Sequence, residues 1–287
     1  VATQNPIFQA DFLSFRILTM LPENVLLTND PATVLAQFLA QKKYSKVIVL
    51  VDEHTKTACY PTIEKSIPAH SVVTIQSGEE RKNLTTCETI WQAMTDEKLD
   101  RHAAMIILGG GVLGDMGGFC ASTYKRGIDF ILIPTTLLAQ ADASVGGKLG
   151  IDFNNFKNHI GVFKQPALTL LYSGFLKTLP RNELRSGFAE VVKHALISDK
   201  KLWDEIRAND LEHQNWDRLI EESVRFKCSV IEKDPFEKNL RKILNTGHTV
   251  GHAIESYFLS SGNKILHGEA IAAGLIAEGW IAGRKKL

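Results

Sequence analysis

Short runs of β-branched and aliphatic residues alternate, over the first 180 residues, with segments whose apolar positions recur every three or four residues. That alternation is typical of a largely parallel β-sheet covered by helices. The helical spacing is clearest at residues 31–41 and 84–97. The apolar runs predict five strands, at residues 46–51, 71–75, 103–108, 129–133 and 168–172.

Beyond Pro180 the spacing becomes almost continuously helical, over residues 183–284. Breaks are expected at Asp234 and Pro235 and again at residues 260–264. We therefore predict a Rossmann-like α/β domain with a largely parallel sheet over residues 1–180. An all-α domain is predicted over residues 181–287. The chain contains no internal repeat and no low-complexity tract.

The composition excludes several classes of protein. The chain has 33 Lys and Arg against 32 Asp and Glu, so its net charge of +1 creates no overall field for nucleic acid or an anionic membrane. Its four cysteines form no CxxC pair and are expected to be reduced thiols. Residues 1–11 lack a signal-peptide pattern, and no apolar stretch is long enough to cross a membrane. We expect a cytoplasmic protein that binds small molecules.

A glycine-rich turn follows the strand predicted at residues 103–108. Glycines at positions 109–111 and 114 give the spacing G-x-G-x-x-G at the start of a helix, which favours a pyrophosphate site. The alternative is a tight strand-to-helix turn. Asp129 lies at the usual distance for a ribose-binding carboxylate but begins its strand, so Asp52, which ends an earlier strand, is preferred. Further polar residues follow neighbouring strand ends: Gly78, Glu79, Lys82, Pro134, Thr135 and Thr136.

Several cations lie near small residues and predict an anion site. Asp142 and Lys148 flank a small stretch that we expect to be flexible, and Asn158 could reach an anion beside Lys148. Lys157 and Arg126 are further candidates. Each alone would be interpreted as a solvated surface residue, so the prediction depends on their occurrence together.

A metal site is predicted in the helical part. Glu190 and Lys193 are one helical turn apart, while His248 and His252 are spaced i, i+4, and His267 follows. One carboxylate with two imidazoles suits a borderline ion such as zinc. The spacing does not choose the ligands, because His194, His248, His252 and His267 are all eligible partners of Glu190.

Together these segments resemble the 3-dehydroquinate synthase family, which are NAD- and metal-dependent sugar phosphate cyclases. The resemblance covers roughly residues 45–280 and departs from the family pattern at Leu149, where Thr is usual, and at Asn239, where Gly is usual. Family members also continue beyond a position like Leu287, with further helices and a lysine that completes the phosphate pocket. The matching segments are residues 77–82, 109–115, 124–127, 142–148, 157–161, 179–194, 241–252 and 267–269.

The resemblance implies a role for individual residues. It assigns one Zn²⁺ or Co²⁺ ion to Glu190, His248 and His267 and leaves His194 and His252 off the ion. It implies NAD binding by Asp52, Glu79, Lys82, Gly110, Gly111, Asp115, Thr135, Thr136, Lys157 and Thr178. The substrate phosphate would meet Lys148, Asn158, Asn245 and His252, with Arg126 of a second subunit in a homodimer; the carboxylate would meet Arg241 and Lys227; and the reacting hydroxyls would lie near Asp142, Lys193 and Glu237.

The implied reaction converts 3-deoxy-D-arabino-heptulosonate 7-phosphate into 3-dehydroquinate and phosphate, in the shikimate pathway to chorismate and the aromatic amino acids. It proceeds by transient oxidation with NAD, β-elimination of phosphate, reduction and intramolecular aldol closure. The alternatives are another sugar phosphate cyclase, a metal-dependent NAD polyol dehydrogenase and a non-catalytic nucleotide-binding protein. Arg241, Lys227, Asn245 and His252 favour a carboxylate-bearing substrate, because we expect the arginine and lysine to be buried without a partner otherwise.

Overall fold

A computed structural model describes residues 21–154, 156–235, 237–263 and 265–285. The prediction that residues 1–11 carry no signal peptide therefore concerns residues outside the described part of the chain. Part of the predicted break at residues 260–264 also lies outside it. The described strands are β1 (Val25–Leu27), β2 (Val47–Asp52), β3 (His70–Ile75), β4 (Ala104–Gly109), β5 (Asp129–Pro134), β6 (Lys148–Phe153), β7 (Phe156–Phe163) and β8 (Leu168–Leu171). The α-helices are α1 (Pro31–Lys42), α2 (Glu53–Ala58), α3 (Leu84–Asp96), α4 (Gly111–Thr123), α5 (Arg181–Ser198), α6 (Lys200–Arg207), α7 (Trp216–Lys233), α8 (His248–Ser260) and α9 (His267–Lys285).

Six of these strands form one sheet in the order β1-β8-β5-β4-β2-β3, and every neighbouring pair is parallel. The predicted α/β class with a parallel sheet and a helical part after it is confirmed. Each of the five predicted strands ends within one residue of the observed bounds. The short edge strand β1 was not predicted.

Both faces of the sheet are buried, which explains why its strands are continuously apolar. Along β2, Ile48 and Leu50 join a cluster with residues of α3 and α4, whereas Val49 and Val51 join the cluster on the opposite face with α1. Alternate side chains of a strand point to opposite faces, so a single run of valine and leucine supplies two cores.

The stretch between Asp142 and Lys148, whose flexibility stays a prediction, lies between two regular elements. Residues Ala139–Ala143 form a π-helical turn, and Lys148 then begins an antiparallel hairpin of β6 and β7. Leu149 anchors this hairpin on α4: a Cβ added to Gly118 would lie 2.5 Å from the Leu149 Cδ2 atom. The hairpin is the second missed element, and it brings Lys148 and Asn158 to the end of the sheet.

The later helices pack closely around α5. The start of α9 lies directly on α5, because a Cβ at Gly268 would overlap the main-chain carbonyl of Ser186. At the opposite side of the α8–α9 contact, a Cβ at Gly274 would overlap the carbonyl oxygen of Gly247. These approaches place the first residues of α8 and α9 beside Glu190 on α5. In the described part of the chain, no helix has the length and apolar character that crossing a membrane requires.

Candidate active site

Three side chains from three helices converge on one point. The Nε2 atoms of His248 and His267 each lie 3.6 Å from the Oε1 atom of Glu190. Ligands bound at about 2.0–2.2 Å to a tetrahedral ion are separated by about 3.3–3.6 Å, so this spacing suits a zinc-type ion. One ligand atom from each residue lies within 4.8 Å of the other two.

The carboxylate of this trio is buried with a lysine. Glu190 and Lys193 are each 1% exposed and form an ion pair along α5. Neither carboxylate oxygen of Glu190 has a well-directed hydrogen bond within the described residues. Burial would raise the pKa of Glu190, but contact with His267 and the charge of Lys193 outweigh it and lower that pKa to about 2. A buried anionic oxygen without a hydrogen bond, facing two imidazoles, fits a bound cation.

Two other groups share members with this trio. One joins His252, Glu255 and His267, and the other joins Asp142, Glu190 and His194. The first already contains a cation, since Lys157 donates to Glu255 at 2.9 Å. In the second, the His194 Nε2 atom lies 3.2 Å from the carboxylate of Asp142. Glu190, His248 and His267 differ from both groups in that two imidazole nitrogens lie at the same 3.6 Å from one carboxylate oxygen, while Lys193 pairs with the other.

A cleft of about 600 Å³ opens beside the trio. It is bounded by the hairpin on one side and by the first turn of α8 on the other. Most of the predicted substrate residues line it, together with the metal-site residues His248 and His267 and the predicted cofactor residue Asp115. The substrate residues are Asp142, Lys148, Asn158, Lys193, Lys227, Glu237, Arg241, Asn245 and His252.

A fixed carboxylate forms one wall of the cleft. Asp142 lies on the π-helical turn, and the Lys227 Nζ atom is 2.8 Å from its carboxylate and donates to its carbonyl at 2.7 Å. Burial would raise the pKa of Asp142, but Lys227, Lys193 and His194 hold it well below the ordinary value. The expectation that Lys227 is buried without a partner is therefore wrong, because Asp142 neutralises it.

The opposite wall comes from the loop after α7. Lys148 pairs with Glu237, which also accepts a hydrogen bond of 2.7 Å from Asn245. Asp234 shapes this loop: its carboxylate accepts from the main-chain N–H groups of Lys238 at 2.9 Å, of Asn239 at 2.7 Å and of Arg241 at 3.0 Å. Asp234 was predicted only as a helix break, yet it anchors the backbone that carries Glu237 and Arg241.

Arg241 enters the cleft from that loop although it is only 3% exposed. Its Nη1 atom donates to the Pro235 carbonyl at 2.9 Å. A Cβ at Gly146 would lie 2.7 Å from the Nη2 atom, so the glycine leaves room for the guanidinium.

Another buried cation, Lys82, joins the sheet to the hairpin. The Lys82 Nζ atom lies 2.5 Å from Asp115 on α4 and 2.5 Å from the side-chain oxygen of Asn158 on β7. Burial raises the pKa of Asp115, and Lys82 opposes that rise. Lys157, next along β7, contacts Glu255 at 2.9 Å and Glu79 at 3.8 Å.

The glycine turn lies at the carboxyl end of β4. Gly110 is the N-cap of α4 without a side-chain cap, which leaves the first N–H groups of the helix available to an anion. A Cβ at Gly110 would approach the Thr136 methyl group to 3.1 Å. Asp115 borders both this turn and the large cleft, so the two are adjacent.

The remaining predicted cofactor residues lie away from the cleft lining. Asp52 ends β2 as predicted, but its carboxylate caps α2 by accepting from His54 and Thr55. Thr135 is buried after β5, and the Thr136 hydroxyl accepts from Ala139. Thr178 is exposed, and its hydroxyl donates to Phe175.

Arg126 is not brought to the cleft of its own chain. It lies in the short turn after α4, is exposed and has a positive φ of 69°. The structure therefore gathers the other predicted substrate residues without it.

Two family models of the same enzyme match consecutive parts of the chain. Residues 72–186 match the family model described as 3-dehydroquinate synthase N-terminal, and residues 187–287 match 3-dehydroquinate synthase C-terminal. The chain is 40% identical over 265 residues to the 3-dehydroquinate synthase of Parabacteroides distasonis, covering 90% of this chain and 75% of that protein. It is 44% identical over 231 residues to the Acetivibrio thermocellus enzyme of the same name, covering 79% of this chain and 63% of that protein.

A solved structure of a differently named synthase has a similar fold. The structure of 2-deoxy-scyllo-inosose synthase, complexed with carbaglucose-6-phosphate, NAD⁺ and Co²⁺, superposes with a TM-score of 0.80 at 28% identity. The match covers 91% of this chain and 74% of that one. With both family models matched and identities of 40% and 44% to curated members, the chain belongs to the 3-dehydroquinate synthase family.

Proposed function

We propose that the chain supplies the catalytic cleft of a 3-dehydroquinate synthase, a carbon–oxygen lyase that converts 3-deoxy-D-arabino-heptulosonate 7-phosphate into 3-dehydroquinate and phosphate. The observation that carries the proposal is one cleft of about 600 Å³ in which a carboxylate–imidazole trio, several cations and the Asp115 end of the glycine turn meet. We place the domain boundary between residues 180 and 181, so that the described strands lie in the first domain and the described later helices in the second, one on each side of the cleft.

NAD and one divalent ion, Zn²⁺ or Co²⁺, would supply hydride exchange and stabilisation of an alkoxide when bound. Glu190, His248 and His267 would hold the ion, supported by their spacing and by the buried carboxylate of Glu190. The glycine turn would hold the pyrophosphate on the free N–H groups of α4. The similar 2-deoxy-scyllo-inosose synthase was solved with NAD⁺ and Co²⁺. The other residues proposed for NAD are Asp52, Glu79, Lys82, Asp115, Thr135, Thr136, Lys157 and Thr178.

Substrate anions would bind at the two cationic walls. The phosphate would be held by Lys148, Asn158, Asn245 and His252. In the structure, Lys148 and Asn245 both donate hydrogen bonds to Glu237. A phosphate entering this wall would displace the Glu237 carboxylate from Lys148. Arg241 would bind the substrate carboxylate. Lys227 would contribute less to that binding, because its charge is already neutralised by Asp142.

Proton transfer would be confined to groups that the cleft already orders. Asp142 stays ionised beside Lys227 and Lys193, so its carboxylate can accept a hydrogen bond from a substrate hydroxyl. Lys193 lies between the metal-binding carboxylate and the cleft and can donate to an oxygen that gains negative charge. Departing phosphate would be stabilised by the same cations that bound it.

Arg126 would act in a neighbouring subunit of a homodimer, which is supported by its exposure and by its absence from the described lining of its own cleft. The substrate would be a small-molecule sugar acid phosphate, and the pathway would be that of chorismate and the aromatic amino acids.

The test is phosphate release from 3-deoxy-D-arabino-heptulosonate 7-phosphate, with sedoheptulose 7-phosphate as the parallel substrate. We expect release from the keto acid phosphate, loss of that release with a chelator and recovery on adding Zn²⁺ or Co²⁺. Turnover of sedoheptulose 7-phosphate without phosphate release from the keto acid phosphate would instead favour another sugar phosphate cyclase.

A further inference from the structure

Both histidines of the proposed metal trio have their second ring nitrogen next to an acceptor. The His248 Nδ1 atom lies 3.2 Å from the Thr246 carbonyl oxygen. The His267 Nδ1 atom lies 3.7 Å from the Oε2 atom of Glu255. In each ring, an acceptor at Nδ1 favours the tautomer that leaves the Nε2 lone pair directed at Glu190.

Glu255 is itself held in place. It projects from α8, two turns after His248, and its side chain is 15% exposed. The Lys157 Nζ atom donates to its Oε1 atom at 2.9 Å, which leaves Oε2 for His267. Because Lys157 already holds one oxygen of Glu255, contact of the other oxygen with His267 costs little further side-chain entropy.

The Lys157 contact also connects two parts of the protein that the sequence keeps 98 residues apart. Lys157 lies on β7 beside Asn158, and Asn158 contacts Lys82 at 2.5 Å. A continuous series of polar contacts therefore runs from the hairpin through Lys157 and Glu255 to His267.

We propose that Glu255 is a positioning residue for the metal site: it orients the His267 ring and fixes its tautomer, while Lys157 holds Glu255. This inference rests on the proposed metal trio and adds Glu255, which touches neither the ion nor the substrate. Carboxylates in this relation to a metal-binding histidine make the imidazole a better ligand, and their loss typically weakens metal binding by about 10–100-fold.

The experiment measures the dissociation constant of Co²⁺ for the purified chain by competition with a chromophoric chelator, together with the visible spectrum of the bound ion. Glu255→Ala is expected to raise the dissociation constant by about 10–100-fold and to alter the spectrum. Glu255→Gln preserves an acceptor oxygen without the charge and is expected to fall between wild type and Glu255→Ala. Glu205→Gln, which removes a carboxylate paired with Arg218 on α6 and α7, is the matched control and should leave the constant unchanged.

The outcomes separate this inference from the proposed function. Wild-type protein that bound no Co²⁺ would contradict the metal trio itself. Wild-type protein that bound Co²⁺, with folded Glu255→Ala binding it within twofold of the same affinity and with the same spectrum, would overturn the role of Glu255 alone. A merely structural role would lower the melting temperature without changing the constant or the spectrum of the folded variants.

Discussion

The Oε1 atom of Glu190 and the Nε2 atom of His267 approach to 3.6 Å although 77 residues separate them in the sequence. Glu190 lies in the middle of α5, and His267 is the first residue of α9. The proposed chemistry depends on this approach of the carboxylate and the imidazole.

The first prediction concerns the carboxylate. Glu190→Gln removes the charge that neutralises buried Lys193, so the metal-free protein should lose about 3 kcal/mol of unfolding free energy. Metal affinity should fall by more than about 100-fold, since a ligand contributes more than the groups behind it. Urea unfolding in the presence of chelator measures the first effect. Glu205→Gln, in an exposed pair, should stay within about 0.5 kcal/mol of wild type.

The second prediction concerns the contact between α5 and α9. Gly268→Ala would place a methyl group in the carbonyl of Ser186, so α9 must move away from α5 and carry His267 from Glu190. We expect a loss of about 1–3 kcal/mol in stability and loss of metal binding. Gly279→Ala is the control on the same helix, because a Cβ there meets nothing within 4 Å. It should stabilise the protein by about 0.5–1 kcal/mol.

The third prediction is a pH dependence created by removing Lys82. Burial already raises the pKa of Asp115 and Lys82 opposes the rise, so Lys82→Met should raise that pKa further. A carboxyl whose folded-state pKa exceeds its unfolded value of about 3.9 stabilises the fold below that value and loses this contribution as pH rises through the folded pKa. The destabilisation by Lys82→Met should therefore increase between about pH 4 and pH 7.

Urea unfolding of wild type and Lys82→Met at both pH values measures this effect. Adding Asp115→Asn to the variant removes the titrating group and should abolish the pH dependence. A pH-independent penalty in Lys82→Met that Asp115→Asn did not reduce would contradict the role given to the pair.

The fourth prediction concerns the loop after α7. Asp234→Ala removes the acceptor of three main-chain N–H groups, which frees the backbone that positions Glu237 and Arg241. We expect kcat/KM for the phosphate substrate to fall by up to about 100-fold, because small misplacements of binding groups are costly. Asp234→Asn retains one acceptor oxygen and should lose less. The test compares kcat/KM of the two variants with that of wild type, once their melting temperatures have been shown to be equal.

The sheet could be predicted from the sequence because burial on both faces leaves a clear apolar run in each strand. The hairpin could not. Its strands carry Phe156 and Phe163 on exposed positions and pair at Gly150 and Gly161, with an irregularity between Ile151 and Phe153, so the alternation that marks a strand is weak.

The metal ligands show a similar limit. Spacing alone left His194, His252, His248 and His267 as equal partners of Glu190, and only the family resemblance singled out two of them. Which histidines lie next to Glu190 depends on how closely α9 approaches α5. That approach requires Gly268, because a Cβ there would overlap the Ser186 carbonyl. Glu255 and Asp234 were missed for the same reason, because their partners lie on other elements or are main-chain groups that no side-chain motif records.

The central claim is that a single cleft returns its cofactor unchanged while expelling phosphate. The most direct measurement supplies 3-deoxy-D-arabino-heptulosonate 7-phosphate in tenfold excess over NAD⁺ with Co²⁺ present and follows phosphate together with absorbance near 340 nm. We predict several phosphates released per NAD⁺ without lasting accumulation of NADH. NADH that accumulates in proportion to substrate consumed, with no phosphate released, would contradict the claim and indicate a polyol dehydrogenase.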